Sequence, residues 1–159
     1  MTLFHFTDSR NIPSIRKYGL LSWKRLVNRN IVHWPASSDD SRKLDARSNL
    51  EDYIRLCIRR EHPMATLALY EGRIKDYVWL EISDAVTQWT ATIFSSDNAV
   101  AKRATINSDP LTALNSKSKQ AEVLISNRLD PKWITFPVTG IGAVQARTSN
   151  DDSGFDLPY

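Results

Sequence analysis

The stretch LFHFTDSRNIPSIRKYGLLSW, almost at the start of the chain, is the strongest constraint on the fold, because it sets a strand turning straight into a helix. Leu3 to Thr7 alternates as a strand does, with His5 and Thr7 on one face and Phe4 and Phe6 on the other. Asp8 or Ser9 is placed to act as N-cap, its side-chain oxygen accepting from an orphan N–H of the first turn. Ile12, Ile15 and Tyr18 follow near helical spacing, and Gly19 stands where a C-cap glycine belongs, so the spacing predicts a helix of roughly three turns. His5 reads in two ways: as a hydrogen-bonded core histidine, or, with Thr7 beside it, as a grip for a sugar or amide.

Bulk properties narrow the field. With 159 residues, 42% hydrophobic and 25% charged, the chain suits one globular domain with a single core. No apolar run approaches a membrane span, and the N-terminus lacks the basic-then-apolar form of a signal peptide, so the expectation is a cytoplasmic protein. The single cysteine, Cys57, has no partner for an internal disulfide, and no Cys/His set has zinc spacing; no metal site is expected. The net charge of +3 is modest, but its placement is uneven. From Ser9 to Ser38 lie Arg10, Arg16, Lys17, Lys24, Arg25 and Arg29 with no acidic residue, and Trp23, His33 and Trp34 are interleaved with them. Such a stretch suits a polyanion whose bases stack, or else a solvated face whose long stems cover apolar surface.

Further along, Leu20 to Asn49 shows weak periodicity and reads as a long irregular connection with at most a short helix; connections of that length are usually functional. PMATLALYEGR reads as a helix with Pro63 in its first turn and Gly72 near its end. YVWLEI and AEVLIS read as strands, and WITFPV as an edge strand because of its proline. DNAVAKRA reads as a short helix capped by Asp97. LEDYIRLCIRR is in conflict: Leu50, Tyr53, Ile54, Cys57 and Ile58 match the helical template, while YIRLCI is also a short β-rich run.

Several residues have the chemistry of a site. Glu122 lies in a strand with apolar residues on both faces, which implies half-burial and a need for a partner, a ligand or a raised pKa. The plainer alternative is a strand-end ion pair. Arg42 and Arg47 lie in a polar segment among acids, as surface ion pairs or as a fork that clamps a pyrophosphate. Asp97 and Asn98 in FSSDNA have side chains that read a base edge. There is no Gly-rich phosphate loop and no nucleophile elbow. A metal-dependent nuclease would want a lysine two positions after its strand glutamate, and Leu124 stands there.

Taken in order, LFHFTDSRNIPSIRKYGLLS, SRKLD, YIRLCIRREHPM, EGRIKDYVWLEI, FSSDNA and QAEVLIS resemble the DarT family of ADP-ribosyltransferase toxins. These enzymes take NAD and attach ADP-ribose to a base of single-stranded DNA. The resemblance runs from Leu3 to about Thr135. It implies an α+β fold, an ADP-ribosyltransferase-like core of two small packed β-sheets with surrounding helices, with YIRLCI as a strand. One domain would cover residues 1–148, with a polar acidic tail at 149–159. It further implies that His5, Phe6 and Thr7 hold NAD, supported by Ser14 and Leu21. Arg42 is the best match to the family's functional arginine and Arg47 the second, and Glu122 matches the catalytic glutamate. Arg25, Asn98 and Arg103 are the expected contacts to the nucleic-acid strand. A guanidinium rarely gives up its proton, so phosphate binding and positioning suit Arg42 better than proton transfer. The chain is short for the family, and Asn98 stands where some relatives place a histidine, which leaves the target base open. A cognate antitoxin is the partner such a toxin implies. The other readings are a nucleic-acid-binding module that kept the fold without the reaction, and a transferase acting on RNA or protein.

Overall fold

The computed structural model describes residues 1–138, and the expected tail lies outside them. Strand β1 (Thr2–Thr7) pairs along its whole length with β4 (Val78–Ser83), from Thr2 opposite Ser83 to Thr7 opposite Val78. β3 (Tyr53–Cys57) pairs as fully with β7 (Glu122–Ser126), from Tyr53 opposite Ser126 to Cys57 opposite Glu122. β5 (Ile93–Ser95) and β6 (Ile106–Asn107) extend the second ladder, and β9 (Ile134–Thr135) extends the first. All are antiparallel, in the order β6-β5-β7-β3-β1-β4-β9. The two ladders meet at a single registered pair, Phe4 opposite Cys57. The expected two small sheets are thus two ladders joined at one point, and the strands separate beyond it. A second sheet pairs β2 (Leu20–Leu21) with β8 (Arg128–Leu129).

The core explains the conflict over YIRLCI. Ile54 and Leu56 alternate onto one face and pack with Val123 and Ile125, while Cys57 is buried on the other. The other face, Tyr53, Arg55 and Cys57, lines a cleft and is only partly covered, so apolar residues occur on both faces and satisfy the helical template by coincidence. The strand implied by the family resemblance is present, and the helix favoured by periodicity is not.

The opening segment folds largely as its residues predict. Asp8 accepts from the Arg10 N–H and caps a 3₁₀ turn at Ser9–Asn11, which runs into α1 (Ile12–Tyr18). Gly19 ends it with φ of 81°, and an added Cβ would stand 2.1 Å from the Leu129 carbonyl oxygen, so only glycine lets β2 close onto β8.

The expected irregular connection is more ordered than its pattern suggests: it holds β2, α2 (Trp23–Asn28) and α3 (Asp39–Arg47). Ser22 and Ser38 cap these helices, accepting from Arg25 N–H and Ser41 N–H. Neither helix buries a residue, which is why no apolar periodicity announces them. The proposed helix at DNAVAKRA is instead a pair of turns closed by Ala101 N–H to the Asn98 carbonyl and Ala104 N–H to the Ala101 carbonyl. α4 (Pro63–Tyr70) and the edge position of β9 match the sequence reading. A short α5 (Leu111–Leu114) sits beside β5.

Candidate active site

The split between β1 and β3 opens into a cleft of about 250 Å³, with the α2–α3 arm as its far wall. Where the β1–β3 ladder stops, a side chain takes over from the backbone: His5 Nδ1 lies 3.0 Å from the Arg55 carbonyl oxygen. A carbonyl only accepts, so Nδ1 carries the proton and Nε2 keeps its lone pair. Burial lowers the pKa of this ring, partly offset by the Arg55 carbonyl, and His5 is neutral at pH 7.

Glu122 lies at the start of β7, 4% exposed. Its Oε2 accepts from the Ala99 N–H at 2.8 Å and from Arg55 Nη1 at 3.3 Å. Burial raises its pKa and Asp45 adds to this; the Arg55 charge and the Ala99 N–H oppose the rise without cancelling it. Arg55 Nη1 also donates to Asn98 Oδ1 at 3.0 Å, and its Nη2 to Asp45 on α3. Opposite Glu122, burial pushes the Cys57 thiol far up, which removes it as a nucleophile.

Thr7 is buried, and its hydroxyl accepts from Asn11 Nδ2 at 3.0 Å. Asn11 also holds the Trp34 backbone from both sides, donating to its carbonyl at 2.9 Å and accepting from its N–H at 2.9 Å. The segment before α3 is thereby tied to the end of β1. Arg42 leans on Trp23, its guanidinium carbon 4.3 Å from the ring centroid, and donates to the Ser37 hydroxyl at 3.1 Å, the Ser37 carbonyl and Asp39.

The structure brings His5, Phe6, Thr7, Ser14, Leu21, Arg42, Asn98 and Glu122 to this one cleft. It does not bring Arg47, Arg25 or Arg103 there. Arg47 and Arg25 are exposed on α3 and α2, and Arg103 is exposed and paired with Asp97 at 2.7 Å. Sequence reasoning missed Arg55, Asp45, Asn11 and His62. A lone charge inside YIRLCI was the available signal for Arg55; its neighbour Glu122 depends on register, which no spacing discloses. Among the described residues, no cluster of three His, Cys, Asp or Glu side chains could hold a metal ion.

The fold of antiparallel ladders and surrounding helices is shared by similar solved structures. One is Thermosipho africanus DarTG in complex with ADP-ribose, with a TM-score of 0.70, 21% identity, and coverage of 84% of this chain and 42% of that one. Another is Thermus sp. 2.9 DarT in complex with ADP-ribosylated ssDNA, with a TM-score of 0.66, 18% identity, and coverage of 84% of this chain and 78% of that one. The chain thus spans less than half the length of the DarTG chain it matches. The family model described as "ssDNA thymidine ADP-ribosyltransferase, DarT" matches residues 4–117, and the chain belongs to the DarT family. No protein of curated function matches it in sequence.

Proposed function

We propose that this chain transfers ADP-ribose from NAD to a thymidine of single-stranded DNA. The observation that carries the reading is Glu122: a buried carboxylate fixed by a guanidinium and a backbone N–H at the cleft where the sheet divides. The family description and the ligands of the two similar structures support the substrate pair.

In the reaction, the glycosidic C–N bond breaks and nicotinamide leaves with the bonding pair. The ribose passes through an oxocarbenium-like state of the kind that carboxylates stabilise. A ring nitrogen of the base then bonds to the anomeric carbon and gives up its proton. Glu122 opposes the developing positive charge and accepts from the ribose hydroxyls, and in its ionised form it has the basicity to take the proton of the base. His5 presents Nε2 as a fixed acceptor for a hydroxyl. Arg42 at the arm is the phosphate-binding cation, and Ser14 of α1 and Leu21 of β2 line the same cleft. Arg25 and Arg103 lie outside the cleft, where a strand longer than the reacting nucleotide would run, and Asn98 stands at the reacting end. The DarTG likeness supports a toxin role with an antitoxin partner.

Incubation with labelled NAD and single-stranded DNA, RNA or protein tests this. Label is expected on thymidine-containing single-stranded DNA. Label on RNA or protein instead would move the substrate class. No transfer to any of the three by folded protein would leave the nucleic-acid-binding module as the surviving reading.

A further inference from the structure

The β3 ladder places a cation at the centre of the site in a position that the family resemblance leaves without a role. Arg55 stands opposite Leu124, so Glu122 is its diagonal neighbour on the same face of the sheet, a separation that a long side chain spans. Its guanidinium makes three hydrogen bonds, with Nη1 on Glu122 and Asn98 and Nη2 on Asp45. Three elements therefore meet at the Arg55–Glu122 pair: β3 supplies Arg55, α3 holds its guanidinium through Asp45, and the turn after β5 holds it through Asn98 and reaches Glu122 through the Ala99 N–H. Both hydrogen bonds to Glu122 fall on Oε2. Among the described residues nothing donates to Oε1, which leaves that oxygen to accept from a ribose hydroxyl.

We propose that Arg55 is the positioning residue of this centre: it fixes the orientation of the Glu122 carboxylate, keeps Oε1 turned to the substrate, and couples the catalytic strand to α3 through Asp45. The inference rests on the transferase reading of Glu122. Its physical basis is that a buried carboxylate without a cation neutralises itself or seeks another donor. The charged and titratable groups facing Glu122 are Arg55 and Cys57 on β3 and Asp45 on α3. Arg55 favours the ionised form and Asp45 opposes it, so removing one or the other has opposite consequences.

The experiment is a pH profile of kcat for wild type, R55M and D45N, paired with a ¹³C titration of the Glu122 carboxyl that needs no turnover. R55M should move the acid limb to higher pH, lower kcat at neutral pH by about 10²-fold, and recover as pH rises. KM for NAD should change less than kcat. D45N should move the limb to lower pH. R55K keeps the charge but loses the planar fork, and should fall between wild type and R55M. R55M leaves two carboxylates unpaired; if it does not fold, D45N, which removes a like charge, decides alone. A merely structural arginine would change stability and leave both limbs in place, and that result overturns the positioning role. If wild type is inactive while the carboxyl titration still shifts in both directions, the transferase reading falls, and the catalytic meaning of Arg55 with it.

Discussion

On the sheet side of the cleft, Glu122 is 4% exposed, Leu124 and Val123 are fully buried beside it, and five registered pairs hold β7 to β3. On the opposite side, α2 and α3 bury no residue at all, and Arg42 is held by a ring face and polar groups of its own arm. The arm is fastened to the body by polar contacts: Ser22 on Asp52, the Lys24 N–H on the Glu51 carbonyl, Arg25 on Asn127, Asn11 on the Trp34 backbone, Arg10 over the Trp34 ring, Arg73 on the Ala36 carbonyl, and Asp45 on Arg55. The sheet wall is therefore preorganised, as a group that meets a developing charge must be. The arm is held by replaceable polar ties, as suits a group that receives a substrate and releases a product. Substitutions in the wall should cost rate, and substitutions in the arm should cost affinity.

The largest expected effect is at the wall. E122Q keeps the shape and one hydrogen-bonding oxygen but removes the negative charge, so single-turnover transfer on a single-stranded oligonucleotide should fall about 10²–10³-fold. NAD affinity and melting temperature should stay near wild type. A mutant within about threefold of wild type, a barrier change below roughly 1 kcal/mol, would break the comparison, because the wall would then be no more catalytic than the arm.

Acid sharpens the contrast next. His62 caps α4, its Nδ1 accepting from the Met64 N–H, and burial with the Arg55 charge lowers its pKa from 6.5 to about 4. The folded state thus holds fewer protons than the unfolded chain between these values. The stability this represents is complete above pH 6.5 and declines as pH falls toward 4, by about 3 kcal/mol in all. His5 acts in the same direction. Denaturant titrations of wild type and H62N should show this loss in wild type and much less of it in H62N, since asparagine keeps the cap without a titrating ring. Equal acid loss in both proteins would place the pH dependence elsewhere.

At the arm, R42A should raise KM for NAD by about 10–100-fold, the range for a lost charge-assisted hydrogen bond to an anion. Its kcat should change by less. A kcat loss as large as that of E122Q, with KM intact, would show that the arm takes part in the chemistry.

The smallest effect concerns the outer face. Lys24 and Arg25 are exposed on α2, and if they meet a DNA strand, replacing both by alanine should flatten the salt dependence of binding by about 0.7 per lost contact. An unchanged slope would show that these stems only cover surface.

The two walls also differed in how readily the sequence disclosed them. His5, Thr7 and Glu122 were legible because each sits in a strand whose pattern makes a polar group conspicuous, and an ordered set of blocks gave them roles. Arg55 was visible as a residue but not as a partner of Glu122, since pairing across β3 and β7 is a property of register between segments far apart in the chain. The arm was opaque for a different reason. Helices that bury nothing carry no apolar stripe, so α2 and α3 were hidden inside an irregular connection, and only the serines that cap them marked their ends. Arg47 illustrates the cost: without the phase of α3, nothing separates it from Arg42, which one and a half turns earlier faces the cleft.

The single pair that joins the two ladders, Phe4 opposite Cys57, bears on how such a protein diverges. Where β1 and β3 part, each strand turns an edge of its main chain toward the cleft. A contact made by that edge is written in no particular amino acid, so substitution cannot easily erase it, and few side chains are obliged to stay constant around it. The fold can then persist while identity falls to the 18–21% that separates this chain from the similar structures.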